Sequence, residues 1–180
     1  MTEYRDRELS QILNYALRHL PVVVLSGLRQ AGKSTLLTQD PAFAGRTYST
    51  LDDYAVLTAA RQDPDALLDV SGPVTFDEVQ RCPDLLVGIK RSVDARRKAG
   101  RFLLTASANL SLMANVAETL AGRAAYLTLH PMTRREIRGH MGAPPALVRF
   151  LADQSLPRET AGRIGGDEIL RGGLPPVCLG

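Results

Sequence analysis

Short apolar runs alternate with amphipathic stretches along most of the chain. The stretches 22–26, 47–51, 73–76, 102–105 and 124–129 are the strand candidates. Between the runs, apolar residues recur at helical spacing, and helices are expected to start near Gly32, Tyr54, Pro83, Asn109 and Thr133. Alternation of this kind predicts an α/β fold in which a parallel five-stranded sheet is sandwiched between helices.

Three parts of the chain differ in periodicity and composition. Leu9, Leu13 and Leu17 repeat at helical spacing, so residues 1–20 are expected to form a helix packed on the core. Residues 21–140 hold the alternating strands and helices and form the predicted core domain. Periodicity fades in residues 141–180, which hold 7 of the 15 glycines and 5 of the 11 prolines. A boundary is therefore predicted near residue 140.

Composition limits the classes of protein that fit. With 44% hydrophobic residues among 180, the chain can bury a core, and 5% aromatic residues without tryptophan argue against a stacking platform for single-stranded nucleic acid. The net charge of +3 is weak support for a polyanionic partner. No apolar stretch is long enough to cross a bilayer, and Cys82 and Cys178 lack metal-ligand spacing. We therefore expect a cytoplasmic protein with free thiols and no membrane contact.

One loop has the residue types of a phosphate-binding site. The stretch from Gly27 to Ser34 fits G-x-x-x-x-G-K-[ST] and stands between a predicted strand and a predicted helix. Its glycines let successive backbone N–H groups point at phosphate oxygens, and the helix adds its positive end. Lys33 is predicted to reach the β- and γ-phosphates and Ser34 to bind Mg²⁺, the alternative being a glycine-rich turn with an exposed lysine. The predicted nucleotide-binding residues are Gly27, Leu28, Arg29, Gln30, Ala31, Gly32, Lys33, Ser34 and Thr35.

Two carboxylates follow the apolar run at 73–76. Asp77 is expected to hold Mg²⁺ with its waters, and Glu78 to polarise an attacking water. The alternative is that the two residues only begin a turn. A carboxylate beside the Mg²⁺ aspartate favours hydrolysis of a nucleotide over its storage, and Glu78 is therefore the predicted general base.

Two further catalytic candidates each have a structural explanation of equal weight. Ser107, with Thr105 and Asn109 near it, could sense the γ-phosphate, or these side chains could cap the next helix. Arg123 lies between a helix end and a strand. There it could stabilise charge on the γ-phosphate of a neighbouring subunit, or form a surface ion pair. A homo-oligomer through Arg123 is therefore one hypothesis.

Other charged residues favour simpler explanations. Asp52 and Asp53 fit helix capping better than a ligand site. A basic cluster follows Pro83 on a helix whose other face is apolar, so a solvated helix face is favoured over a nucleic-acid contact. The cluster comprises Lys90, Arg91, Arg96, Arg97, Lys98 and Arg101.

Together, the motifs resemble a known family, the AAA-type P-loop ATPases of bacteria and archaea that carry a domain of unknown function after the ATPase core. The resemblance covers most of residues 4–140 in order and extends to one later glycine-proline stretch. It rests on the stretches VVVLSGLRQAGKSTLL, STLDD, VTFDEVQRCPDLLVGIKRSVD, RFLLTASANL, ETLAGRAAYLTLHPMTRREI and RGGLPP.

The resemblance implies an AAA+-like core that binds ATP and Mg²⁺, with the 102–105 strand between the strands of the two motifs. It also implies that Arg123 lies where such proteins carry a trans-acting arginine. Ala106 departs from the family's usual glycine, and RGGLPP lacks the acidic residue often seen after its last proline. Family members continue well beyond this point, so residues 141–180 are interpreted as the Gly/Pro-rich start of a truncated C-terminal region.

Three functions fit these motifs to different degrees. The leading one is a Mg²⁺-dependent ATPase that couples hydrolysis to a conformational change or partner exchange. The alternative outside enzymes is a nucleotide-dependent binding module with little hydrolysis, whose partner could be nucleic acid. A small-molecule kinase is least favoured, because no lid and no substrate-binding arginine pair can be placed and Glu78 favours water as the acceptor.

Overall fold

A parallel sheet of five strands forms the centre of the molecule. The computed structural model of the protein describes residues 4–107, 110–142, 144–154 and 164–179. The strand order is β2-β3-β4-β1-β5, so β4 lies between β1 and β3 as expected. The predicted α/β fold with a five-stranded parallel sheet between helices is confirmed. The strands are β1 (Val22–Gly27), β2 (Thr47–Thr50), β3 (Val74–Asp77), β4 (Phe102–Ser107) and β5 (Ala124–Leu129).

Helices connect the strands and extend the chain at both ends. The predicted helix starts near Gly32, Tyr54, Pro83 and Thr133 match helices in the structure, whereas Asn109 itself lies outside the described residues. Short 3₁₀ helices occupy Pro41–Phe43 and Val79–Arg81. The α-helices are α1 (Leu9–His19), α2 (Lys33–Gln39), α3 (Tyr54–Gln62), α4 (Pro64–Leu68), α5 (Pro83–Ala95), α6 (Leu110–Thr119), α7 (Arg134–Ile137), α8 (Ala146–Asp153), α9 (Gly166–Arg171) and α10 (Pro175–Cys178).

Local sequence chemistry accounts for several helix boundaries. The Asp53 side chain accepts hydrogen bonds from the first turn of α3. At the start of α7, Thr133 and Glu136 form both bonds of a capping box, which satisfies two otherwise free backbone donors. Gly122 follows α6 with a φ of 71°, a left-handed conformation that glycine adopts without strain. The predicted capping role is thus found for Asp53, whereas Asp52 forms an ion pair with Arg81.

Both faces of the sheet are covered by apolar side chains. All six residues of β1 are buried, and their side chains alternate between the two faces. Val22 and Val24 pack with the layer formed by α3, α4, α5 and α6. Val23 and Leu25 pack on the other face, together with α1 and α2. This double burial explains why β1 reads as a continuous aliphatic run rather than an alternating one.

The C-terminal residues 164–179 return to the core. The Met132 N–H donates to the Gly173 carbonyl at 2.6 Å. A Cβ on Gly173 would lie 2.3 Å from the Met132 carbonyl oxygen, so only glycine allows this approach. Glu168 on α9 also forms an ion pair with Arg134. These contacts attach the glycine-proline segment to the residues after β5, while the domain division near residue 140 stays a prediction.

Candidate functional site

The carboxyl ends of three adjacent strands bring most of the predicted site residues together. Gly27 ends β1, Asp77 ends β3 and Ser107 ends β4. Gly27 is in register with Ser107 on the neighbouring strand. Parallel strands end at one edge of a sheet, and open α/β sheets bind ligands in the crevice outside that edge. The predicted glycine-loop and carboxylate residues therefore share one location.

The glycine loop begins at a position that only glycine can occupy. A Cβ on Gly27 would lie 2.5 Å from the Leu129 carbonyl oxygen of β5, which leaves no room for a side chain. Gly27, Gln30 and Gly32 have φ values of 156°, 63° and 92°, so the chain takes a positive φ three times before α2 begins at Lys33. This curl brings the loop from the end of β1 to the start of a helix, which is the arrangement that phosphate binding needs.

Lys33 is the buried cation of the loop. Its side chain folds back so that Nζ donates to the Gly27 carbonyl at 2.9 Å and to the Leu28 carbonyl at 3.2 Å. An ammonium group has three donors, and these two contacts are ones that phosphate oxygens could replace. Leu28 is 54% exposed, and Arg29, Ser34 and Thr35 are also exposed. The loop is therefore accessible around a buried positive charge.

Asp77 is buried beneath the loop and accepts three hydroxyl hydrogen bonds. Ser34 Oγ donates to Oδ2 at 3.1 Å, and Tyr48 Oη donates to the same oxygen at 2.7 Å. Thr105 Oγ1 donates to Oδ1. Burial, together with the bond to Asp77, raises the pKa of Tyr48 well above its ordinary value. The sequence did not single out Tyr48, although β2 pairs with β3 in a register that places Thr50 beside Asp77.

Glu78 has a left-handed backbone, with φ 58° and ψ 44°. Its N–H donates to Thr105 Oγ1 at 3.0 Å, which fixes the peptide at the end of β3. Its carboxylate accepts a hydrogen bond from the Gln80 side-chain amide, and the same amide nitrogen lies 3.4 Å from Ser107 Oγ. Gln80 was not predicted as a site residue, because nothing in its sequence position shows that the chain turns back at Glu78.

A buried ion pair supports the other side of the loop. Arg7 Nη1 donates to the Ala31 carbonyl at 2.8 Å, and Nη2 donates to the His130 carbonyl at 2.6 Å. Arg7 Nε lies 3.1 Å from Glu136 Oε1, and both side chains are about as buried as the core. This arginine was also missed, because it precedes α1 in a charged stretch that has no periodicity. It connects the glycine loop to the segment after β5.

Arg123 lies at the opposite edge of the sheet from the glycine loop, just before β5 begins. Its guanidinium forms a bidentate ion pair with Asp94 of α5, with Nε–Oδ1 at 2.6 Å and Nη2–Oδ2 at 2.9 Å. The bond from Arg123 lowers the pKa of the Asp94 carboxyl, and Asp94 raises the pKa of Arg123. The structure therefore shows the surface ion pair, and it places Arg123 away from the other site residues of the same chain.

A cavity of about 380 Å³ opens beside the glycine loop. Its size lies within the range of about 300–1,000 Å³ that is usual for small-molecule sites. Gly32, Thr35, Leu36 and Met132 line it together with the amino-terminal segment and α10. The residues contributed by those two segments include Tyr4, Arg5, Arg7, Pro175, Pro176 and Leu179.

Few features of the structure bear on the predicted partners and cellular location. In the ranges that the structure describes, no helix is long and apolar enough to cross a membrane. Much of the basic cluster on and after α5 is engaged, since Arg91 pairs with Asp65, and Arg97 and Arg101 donate to backbone carbonyls. Cytoplasmic location, a homo-oligomer and a nucleic-acid contact all stay predictions.

Comparison with known proteins gives concordant matches. A family model described as an AAA domain matches residues 19–138. The uncharacterized proteins Rv2008c of Mycobacterium tuberculosis and Mb2031c of Mycobacterium bovis are each 34% identical over 175 residues, or 94% of this chain. The chain spans 33% of the length of each of those proteins. The structure of the Walker-type ATPase PABY2304 of Pyrococcus abyssi matches with a TM-score of 0.57 at 15% identity, covering 98% of this chain and 66% of that one.

The fold, the glycine loop and the family match lead to one assignment. The likeness to the Pyrococcus structure shows a shared fold, and the family match covers the strands and loop from which the site is built. Such membership supports nucleotide binding as the general activity. The resemblance found in the sequence is thus confirmed, and the chain belongs to the AAA-domain family of P-loop ATPases.

Proposed function

We propose that this chain binds ATP with Mg²⁺ and hydrolyses it to ADP and phosphate, coupling hydrolysis to a conformational change or partner exchange. The observation that carries the proposal is the 3.1 Å hydrogen bond from Ser34 Oγ to Asp77 Oδ2, with Glu78 next in the chain. It joins the loop that would hold the phosphates to the strand that would supply the base. Storage of a nucleotide would need no such second carboxylate.

Binding of the phosphates would replace contacts that the loop makes with itself. Lys33 Nζ now donates to the carbonyls of Gly27 and Leu28. Phosphate oxygens carry more negative charge than carbonyl oxygens, so the ammonium would exchange these partners for the β- and γ-phosphates. The start of α2 and the backbone N–H groups of the loop would add further donors.

The cavity beside the loop is the proposed site for the base and ribose. It adjoins Gly32 and Thr35, where the chain of phosphates would lead away from Lys33. Tyr4 and the prolines of α10 supply flat or apolar surfaces on which a purine could pack. The Arg7–Glu136 pair, which also contacts the loop at Ala31, would keep the two walls of this cavity in place.

Mg²⁺ fits the donor set at the base of the loop. Ser34 supplies a hydroxyl oxygen and Asp77 a carboxylate, both hard oxygen ligands, and Mg²⁺ sites commonly combine one or two such groups with phosphates and water. When bound there, Mg²⁺ would neutralise charge that develops on the phosphates. Within the described residues, no cluster of three or more histidine, cysteine or acidic side chains offers a closed metal site.

Hydrolysis would proceed by attack of water on the γ-phosphorus. A bond forms from the water oxygen to phosphorus, the bond to the bridging oxygen breaks, and ADP leaves. Glu78 would accept the proton that the water loses. The bond from its N–H to Thr105 Oγ1 keeps the peptide of Glu78 in place. Ser107, at the end of β4, would donate a hydrogen bond from its hydroxyl to the γ-phosphate.

We further propose that Arg123 acts on the γ-phosphate of a neighbouring copy of the chain. Its position at the edge of the sheet opposite its own loop supports action between subunits rather than within one. In an assembled state the guanidinium would exchange Asp94 for a phosphate, which is the more highly charged partner. Arginine suits this role because its planar donors match phosphate oxygens.

The proposed function is tested by measuring ATP binding and phosphate release on the same samples. Lys33→Ala should abolish detectable binding, because the backbone donors alone do not offset the charge of the β- and γ-phosphates. Glu78→Gln should keep ATP affinity and lose turnover by about 10²–10⁴-fold, the usual range for a general base. Lys98→Ala and Glu118→Gln, at exposed positions, are the matched controls and should behave as wild type.

The two readouts separate the alternatives. Tight ATP binding without phosphate release from the wild type would favour the nucleotide-dependent binding module. Consumption of ATP only in the presence of a small-molecule acceptor would favour the kinase. Wild-type turnover in Glu78→Gln would remove this residue from the mechanism, and unchanged ATP affinity in Lys33→Ala would refute the phosphate site itself.

A further inference from the structure

Gln80 contacts both predicted catalytic side chains at the carboxyl edge of the sheet, and the proposed mechanism assigns it no role. It lies in the 3₁₀ helix Val79–Arg81, directly after β3. The left-handed backbone of Glu78 reverses the chain at this point, so the residue two positions later turns back over Glu78. As a result, the Gln80 amide nitrogen donates to Glu78 Oε2 and lies 3.4 Å from Ser107 Oγ.

The orientation of this amide follows from the chemistry of its neighbours. An ionised carboxylate only accepts hydrogen bonds, so the Gln80 NH₂ group, and not its oxygen, must face Glu78. The two amide protons can serve two acceptors, and Glu78 and Ser107 are the two within reach. Among the described residues, no other side chain donates a hydrogen bond to the Glu78 carboxylate. Gln80 therefore restrains the orientation of that carboxylate.

The side-chain oxygen of Gln80 lacks the hydrogen-bond partners that its amide nitrogen has. Among the described residues, Oε1 is buried and has no hydrogen-bond partner. A buried acceptor without a donor destabilises a protein, so each such atom needs an explanation, and one explanation is a place where a further donor binds. A water molecule next to Glu78 would be such a donor once a rotation of the Gln80 side chain opens Oε1 to it. The unpaired oxygen thus lies beside the carboxylate proposed to activate water.

We infer that Gln80 is a positioning residue that holds the Glu78 carboxylate beside Ser107 and orients the attacking water. In this arrangement the water gives one proton to Glu78. Its other proton forms a hydrogen bond to Gln80 Oε1 and stays on the water oxygen, which becomes part of the phosphate. The Gln80 amide then links two groups: it orients Glu78, and it contacts the Ser107 hydroxyl that would bind the γ-phosphate. The inference rests on the proposed function in its catalytic part, whereas the contact of Gln80 with Glu78 and Ser107 can be tested without it.

The catalytic part is tested with Gln80→Ala, Gln80→Glu and the exposed control Gln62→Ala. Gln80→Ala should lower kcat by about 10²-fold, the loss typical of a misplaced catalytic group, with KM and affinity for ATP unchanged. Gln80→Glu keeps the size but sets a second carboxylate against Glu78, and kcat should fall further. In a Glu78→Gln background, Gln80→Ala should change kcat by less than about twofold, because residues that act as a unit are not additive.

These kinetic outcomes distinguish positioning from a structural role. A purely structural role predicts additive losses in the double variant, together with lower thermal stability in Gln80→Ala. Either additivity or a wild-type kcat in Gln80→Ala overturns the inference. The Gln62→Ala control, on α3, should leave all parameters unchanged.

The contact itself is tested by nuclear magnetic resonance on the nucleotide-free chain, which does not require turnover. The side-chain amide signals of Gln80 are identified by their disappearance in Gln80→Glu. Replacement of Glu78 by alanine should shift both signals, and Ser107→Ala should shift the signal of one amide proton more than the other. Signals that respond to neither replacement overturn the inference. If they respond while the wild type releases no phosphate, the proposed ATPase function fails and the restraint of Glu78 by Gln80 stands.

Discussion

The two edges of the sheet use polar side chains in different ways. At the carboxyl edge, the bonds of Lys33 and Asp77 run to loop carbonyls and hydroxyls that a ligand could displace. At the amino edge, Arg46 donates to the carbonyls of Val74 and Gly100 at 2.6 and 2.8 Å, and to Thr75 Oγ1 at 3.0 Å. These carbonyls belong to a strand end and a loop of the folded backbone.

The difference shows why polarity alone does not identify a site. Burial lowers the pKa of Arg46 to about 10, helped by the charge of Arg101, and the guanidinium is still charged at neutral pH. Arg46 is thus a buried charge, like Lys33. Its N–H groups, however, donate mainly to backbone carbonyls that have fixed positions in the fold. A functional edge is marked by buried polar groups whose partners can be exchanged, and a structural edge by groups whose partners cannot. Arg123, at the structural edge but proposed to act on phosphate, is the residue that tests this distinction.

The largest expected effect concerns Arg123. If it acts on a neighbouring subunit, Arg123→Ala should reduce turnover by up to about 10³–10⁵-fold while ATP affinity is retained. Mixing Lys33→Ala protein, which still carries Arg123, with Arg123→Ala protein, which still has an intact loop, should restore activity. The wild-type specific rate should also rise with protein concentration.

Asp94→Asn provides the matched control for Arg123. It removes the ion-pair partner but keeps the arginine, so turnover should be unaffected if the arginine acts between subunits. If Arg123 serves only the surface pair, then Arg123→Ala and Asp94→Asn should give the same small change in stability, no change in turnover and no recovery on mixing. That result would mean that the polar residues discussed at the amino edge stabilise the fold and take no part in turnover.

The next effect in size concerns stability rather than activity. Arg46→Met should lower the free energy of unfolding by about 3 kcal/mol, because several buried acceptors lose their donor at once. ATP affinity should stay within about twofold of wild type, since the substitution lies at the opposite edge from the loop. Denaturant unfolding and calorimetry would measure the two quantities, with the exposed Arg61→Met on α3 as control. Loss of ATP affinity at unchanged stability would contradict the comparison of the two edges.

Much of the fold could be read from the sequence because its signals are local. The strand at Ala124–Leu129 has the predicted bounds, since an aliphatic run between a left-handed glycine and a capping box leaves little freedom. The glycine loop was also recognisable, because its spacing is contained within eight residues. The helix α4 was missed, since five residues are too few to show a helical period.

The missed site residues depend on contacts between distant segments. Tyr48 meets Asp77 only because β2 pairs with β3 in a particular register. Arg7 reaches the glycine loop from a position 24 residues earlier, and its partner Glu136 lies beyond β5. Gln80 is close to Glu78 in sequence, yet their contact depends on a left-handed residue that is not glycine. No periodicity or motif encodes these relations, so only the fold shows them.

The smallest expected effect concerns Tyr48, which competes for Asp77 at the functional edge. Tyr48→Phe removes the 2.7 Å bond to Oδ2 and leaves the bonds from Ser34 and Thr105. Stability should fall by about 1.5 kcal/mol, the lower end for a hydrogen bond to a charged group. Half-saturation of ATP turnover by Mg²⁺ should need about two- to threefold less Mg²⁺, because one donor no longer competes for the carboxylate. Tyr54→Phe, which is 80% exposed, should change neither quantity.

The pH dependence of the same pair makes the test sharper. Burial raises the pKa of Tyr48 above its ordinary value of 10.0, and the bond to Asp77 acts in the same direction. The folded chain therefore holds the phenolic proton more tightly than the unfolded chain, so the stabilisation is complete below pH 10 and declines as the pH rises above it. The stability difference between wild type and Tyr48→Phe should narrow above that pH. A difference that stays constant with pH, or a higher Mg²⁺ requirement in the variant, would show that Tyr48 does not compete for Asp77, and its bond would then belong with the fixed contacts of the amino edge.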